Sequence, residues 1–195
     1  PQCGAQIERF FRYEHHHRHQ QKNALMPNDL KLYTAATLDA LSAEAADLSR
    51  RRKNLNVHPV LEDPVQRLFN ALEPGTYARP HRHTRDNGWE LMIVIRGAFS
   101  VLHFDDMGHI LARADLRADD GDRAVEIPAY AWHSVVSLAP GTLMFEIKPG
   151  PYSPIEDKDF AVWAPPEGDP RASNWVRWFE TAKPGDPAPA SSDPP

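Results

Sequence analysis

Between Thr34 and Leu48 the apolar side chains fall at Leu38, Leu41, Ala45 and Leu48. Steps of three and four residues place them on one stripe, which predicts an amphipathic helix with a single buried face. The basic run SRRRK follows, and Asn54, Leu55, Asn56, Val57 and His58 then alternate. That alternation predicts a short extended segment leading into a core. From Val65 to Lys148 the pattern becomes a series of short β-rich runs: VQRLFNAL, TYARPHRH, WELMIVI, AFSVLHF, HILARADL, RAVEIP, HSVVSL and TLMFEIK. Between them lie EPG, RG, DDMG, DDG and APG, whose Gly, Pro and Asp favour turns. Short strands at this spacing, with no helix between them, predict a sandwich or barrel and exclude a doubly wound parallel sheet. HFDDMGHI is the clearest hairpin. LMIVI is apolar on both parities, so one face fills a core. The other needs cover from the N-terminal helix, the C-terminal segment or a second copy of the chain.

Past Lys148 the segment PGPYSPIEDKDFAVWAPPEGDP is too rich in proline for regular structure, but Tyr152, Phe160 and Trp163 can anchor it as an arm. ASNWVRWFETA then predicts a short helix with Trp175, Trp178 and Phe179 on its inward stripe. The expected organisation is a polar, His-rich, disordered segment over 1–29 and a helix with its lead-in over 30–64. The barrel follows over 65–150, the arm and C-terminal helix over 151–181, and a disordered tail over 182–195.

Composition narrows the function. A net charge of -5 argues against nucleic acid, whose binding needs a basic surface. Cys3 stands alone, so neither an internal disulfide nor a thiolate metal cluster is available, which suits a reducing compartment. No apolar run approaches membrane-spanning length, and a cytoplasmic location is expected. The chain begins at Pro1 and its first methionine is Met26. The stretch RYEHHHRHQQKNAL before it reads either as lying upstream of the natural start, or as a leader or weak metal-scavenging tract. His15, His16, His17 and His19 have no partners spaced for a closed site.

RPHRHTRDNGWE carries the candidate chemistry. Residues two apart on a strand share a face, so His81 and His83 project together, with Tyr77 and Arg79 on the same parity. A hairpin over 84–88 returns Glu90 beside them. His133 begins a β-run after a proline turn and offers the fourth ligand.

These residues resemble the two cupin motifs. Gly75, His81, His83, Glu90 and Gly97 are similar to the first, and Gly121, Pro128 and His133 to the second. The departures are a six-residue gap between His83 and Glu90, Tyr130 where the second motif has glycine, and six residues between Gly121 and Pro128. More closely, RRKNLNVH, DPVQRLFNALEPGTYARPHRH, WELMIVIRG, VEIPAYAWHSVV, MFEIKPGPY and DKDFAVWAPPEGDP resemble the WbuC family of cupin-fold metalloproteins, over roughly residues 30 to 180. The resemblance implies a mainly β fold, a single RmlC-like jelly-roll barrel of about eight strands with an N-terminal and a short C-terminal helix. It also implies a bound metal and a gene neighbourhood of bacterial O-antigen and surface polysaccharide.

Three neutral imidazoles and one carboxylate leave a net positive charge on one divalent ion, which favours oxygen-rich or anionic molecules at its open positions. The donor set suits Fe(II), Mn(II), Ni(II) or Zn(II). Around it, Arg79 reads as an anion clamp or a surface ion pair, Tyr77 as filler or proton donor, and Glu146 with Lys148 as a simple pair or an acid–base couple. His58, His103 and His109 read as structural or exposed. A metal-dependent enzyme acting on a small sugar-like molecule and a non-catalytic ligand-binding module both fit, in either case as a homodimer.

Overall fold

A computed structural model describes residues 30–152 and 159–190. The His-rich tract, Cys3 and Met26 lie outside the described residues. Two compact units are distinguished, 1–34 and 35–195. Of the first, only 30–34 are described, without regular structure.

The second unit begins with helix α1, Ala35–Asp47, within the stretch the apolar stripe marks. Among the described residues ten strands follow: β1 Arg52–Asn56, β2 Val65–Leu72, β3 His81–Arg82, β4 Glu90–Arg96, β5 Ala98–Phe104, β6 Ile110–Arg117, β7 Ala124–Ile127, β8 Trp132–Ser137, β9 Thr142–Pro149 and β10 Asp159–Phe160. Helix α2, Ala172–Thr181, closes the set of elements. The strands form two antiparallel five-stranded sheets, ordered β1-β2-β9-β4-β7 and β10-β3-β8-β5-β6. This is the expected jelly roll, with one correction: the sheets are hydrogen-bonded separately and do not close into one barrel.

The core between the sheets takes one parity from each strand. Leu72, Met92, Val94, Ile127 and Met144 of the first sheet meet Phe99, Val101, Leu116 and Val135 of the second. The opposite parities are covered from within the chain. Helix α1 lays Leu41 and Ala45 on Ala71 and Leu143, and α2 packs Trp175, Val176 and Phe179 against Leu102, Phe104, Trp132 and Val136. The arm adds Ala161, Ala164 and Trp163 to that second layer.

Two expectations change. TYARPHRH yields only His81 and Arg82 as strand, because its approach carries Pro74 and Pro80, which lack the N–H a ladder needs. The strand parity assumed for Tyr77 and Arg79 therefore does not apply. The tail is also fixed as far as it is described: Ile110 N donates to Asp186 O at 2.9 Å, Gly185 N donates to Ile110 O at 2.8 Å, and Ala182 is buried. Backbone pairing onto the start of β6 supplies the order that its composition lacks.

Candidate metal centre

β3, β4 and β8 bring the four predicted ligands together. His81 pairs in register with His133 across β3 and β8, while Glu90 opens β4 in the facing sheet. One ligand atom from each of His81, His83, Glu90 and His133 lies within 4.8 Å of all the others, and all four residues are buried. His83 Nε2 stands 2.8 Å from Glu90 Oε1, and His133 Nε2 stands 3.0 Å from Glu90 Oε2. Neighbouring donors on a six-coordinate ion with bonds of about 2.1 Å have separations of this size.

The backbone sets the tautomers. His81 Nδ1 lies 3.0 Å from Arg79 O, and His133 Nδ1 lies 2.9 Å from Ala131 O. Each carbonyl accepts a hydrogen bond from Nδ1–H, which leaves Nε2 with its lone pair directed inward, as a metal-bound imidazole requires. His133 Nε2 and Glu90 Oε2 then face each other as two buried acceptors with no hydrogen bond. In that tautomer a divalent metal between the atoms satisfies both, as a proton on Nε2 does in the metal-free protein. Burial raises the Glu90 carboxyl, but His133, His83 and Lys148 outweigh it and hold the group well below the usual carboxylate range.

Local geometry places the ligands. A Cβ on Gly88 would lie 2.9 Å from both His83 Cβ and Arg85 O, so the 84–89 loop folds directly on His83 only with glycine there. Tyr130 occupies the position of the second-motif glycine with φ of 65°, a left-handed backbone that glycine adopts without strain. Its N–H donates to His83 O at 3.0 Å and its hydroxyl donates to Asp86 Oδ1 at 2.7 Å. Two of the three departures from the cupin pattern are thus in contact: the longer loop supplies the acceptor for the side chain that replaces glycine.

The other predicted residues separate. Glu146, on β9, faces the same interior and accepts a hydrogen bond from Asn70 Nδ2 at 2.9 Å. Lys148 Nζ stands 3.3 Å from Glu146 Oε1 and 3.3 Å from Glu90 Oε1, linking the pair to the metal ligands. Arg79 Nη2 donates to Ala161 O at 2.8 Å, and its guanidinium carbon lies 5.4 Å from the Phe160 ring centre. Tyr77 points away from the ligands. Its hydroxyl donates to Pro165 O at 2.8 Å, its ring stacks on Phe179, and burial pushes the phenol pKa up. His103 faces inward and lines a small cavity with His133, and burial lowers its pKa. His58 takes a hydrogen bond from Arg67 N, and exposed His109 pairs with Asp105.

His81, Glu90 and His133 line a cavity of about 370 Å³. Met92, Val135 and Met144 form part of its wall, and Asn70, Glu146, Arg50, Arg52, Arg79, Phe160 and Glu167 contribute the rest of its chemistry. Sequence reasoning missed Asn70, Phe160 and Glu167. Asn70 carried a usable signal, a polar residue on the inward parity of Leu68 and Leu72. Glu167 carried none, since it joins the cavity through the path of the arm.

A family model described as a domain of unknown function, DUF6016, matches residues 33–116. No curated protein matches the chain. Among solved structures, it is similar to a cupin superfamily protein from Desulfitobacterium hafniense, at 16% identity over 50% of this chain and 76% of that one, with a TM-score of 0.40. It is also similar to KdgF from a Halomonas species, at 22% identity over 51% and 81%, TM-score 0.40. A third is the salicylate 1,2-dioxygenase of Pseudoaminobacter salicylatoxidans, at 13% identity over 61% and 33%, TM-score 0.47. The reading of the site rests on its own side chains.

Proposed function

We propose that this chain holds one divalent metal ion through His81, His83, Glu90 and His133 and presents it to a small oxygen-rich molecule in the adjoining cavity. The observation that carries the reading is the convergence of four buried ligand atoms within 4.8 Å, two of the imidazoles fixed by backbone carbonyls in the metal-binding tautomer. A cation there supplies Lewis-acid polarisation of an oxygen on the bound molecule. The protein's own part is to orient that molecule against Met92, Val135 and Met144 and to place Glu146 and Arg79 at its edge. A volume of about 370 Å³ is near the lower end of ligand pockets, roughly 300–1,000 Å³. It favours a monosaccharide-sized molecule over an enclosed nucleotide-sugar. The finer assignment, a sugar intermediate of bacterial surface-polysaccharide synthesis, draws its support from the WbuC resemblance.

A second reading, a binding module without turnover, is favoured by one observation. Glu146, an acid–base candidate on the cavity wall, is engaged by both Asn70 and Lys148. Elemental analysis of untagged protein lacking residues 1–29 tests the shared premise. About one metal per chain is expected, lost in His81→Ala and His133→Ala. No metal after reconstitution with Fe(II), Mn(II), Ni(II) and Zn(II) would refute it.

A further inference from the structure

The cavity beside the metal ligands contains an internal carboxylate held by arginines. Glu167, on the arm, meets Arg50 through both of its oxygens, with Nη2 at 3.0 Å from Oε2. Arg52 Nη2 donates to the same Oε2 at 2.7 Å. Arg52 is pre-positioned, because its Nη1 also donates to Tyr77 O at 2.8 Å. Arg79, on the same cavity wall, is held by Ala161 O and stacked on Phe160, while its Nε is buried with no hydrogen-bond partner. Arg79 lines this cavity, and its buried guanidinium N–H without a partner is a standing demand for an acceptor.

We propose that this arginine cluster is the anion end of the ligand site, and that the ligand is a small carboxylate bearing hydroxyl or carbonyl oxygens. The inference rests on the metal reading above and deepens it. The hydroxyl or carbonyl oxygens lie toward His81, Glu90 and His133. The carboxylate takes the place of Glu167 on Arg52 and satisfies Arg79. Glu167 is therefore a built-in competitor that closes the cavity mouth when no ligand is present. Arg50 and Arg52 already hold a carboxylate in this structure, that of Glu167, which is why this class is named over a phosphate.

The test uses Mn(II)-reconstituted full chain, with metal content measured on the same sample, titrated calorimetrically with glucuronate, glucose and glucose 6-phosphate. Glucuronate is expected to bind at least tenfold more tightly than glucose and more tightly than glucose 6-phosphate. Arg79→Gln weakens glucuronate by about ten- to a hundredfold, the loss of a charge-assisted contact. Glu167→Gln is expected to tighten it by about tenfold, the gain that corresponds to Glu167 blocking the site about 90% of the time. A purely structural clasp would lower thermal stability in Glu167→Gln without raising affinity. Equal responses to glucuronate and glucose, including none to either, overturn the proposal, as does unchanged affinity in Glu167→Gln. Stronger binding of glucose 6-phosphate overturns the carboxylate assignment. A sample that takes up no metal sinks this inference together with the metal reading. Metal at one per chain with no anion preference sinks this inference alone.

Discussion

Lys148→Met probes the charge arrangement around the ligands. Lys148 Nζ stands 3.3 Å from one oxygen of Glu90 and 3.3 Å from one of Glu146, with all three side chains at most 10% exposed. At an effective dielectric of about 20, each contact has a gross attraction of about 5 kcal/mol. Desolvation of the ammonium and repulsion between the carboxylates cancel much of that sum. Removing one partner from such a buried group costs about 3–5 kcal/mol net. That is the expected loss in metal-free protein. With metal bound, the cation neutralises Glu90. Only Glu146, still bonded to Asn70, lacks a counter-charge, and the loss shrinks to about 1–2 kcal/mol. The cycle must close, so the difference of about 2 kcal/mol reappears as metal binding about thirtyfold tighter in the variant. Urea unfolding of apo and Zn(II)-loaded proteins, with Zn(II) competition against a chromophoric chelator, measures every arm. Equal losses in both states would show that Lys148 is not coupled to the metal, and weaker zinc binding would show that it aligns Glu90; either result refutes the reasoning.

Gly88→Ala is expected to leave the fold intact and to weaken metal binding by about ten- to a hundredfold, since the added carbon presses on His83; metal competition reads it. Gly97→Ala puts a carbon 2.5 Å from Thr142 Oγ1 at a φ of 73°. It should cost at least about 2 kcal/mol in urea unfolding. Phe179→Ala, beneath the Tyr77, Phe104, Trp175 and Trp178 rings, should cost about 3–5 kcal/mol. Tyr77→Phe should cost about 1 kcal/mol for the lost bond to Pro165 while metal content stays unchanged, because the hydroxyl is outside the cavity.

Much of this arrangement is written in local periodicity. Leu38, Leu41 and Ala45 mark α1, and the VQRLFNAL and AFSVLHF runs coincide with β2 and β5. The four candidate ligands were legible because His81 and His83 stand two apart on an extended run and, with Glu90 and His133, resemble the spacing of the two cupin motifs. The parity argument failed at Tyr77 and Arg79 because Pro80 interrupts the strand, so alternation cannot be carried backward across it. β10 was illegible, since two residues pairing with β3 leave no period to read. The Arg50–Glu167 contact was illegible for a different reason. It joins residues 117 positions apart through an arm whose path depends on tertiary packing.

The link from residue 130 to the loop before Glu90 makes a single module of two segments that are far apart in sequence. Shortening that loop removes the oxygen that the phenol reaches and leaves a strained tyrosine with nothing in return, whereas putting glycine at 130 alone unties the loop from its anchor. Transplanting this centre into another jelly roll will therefore work only when both segments travel together.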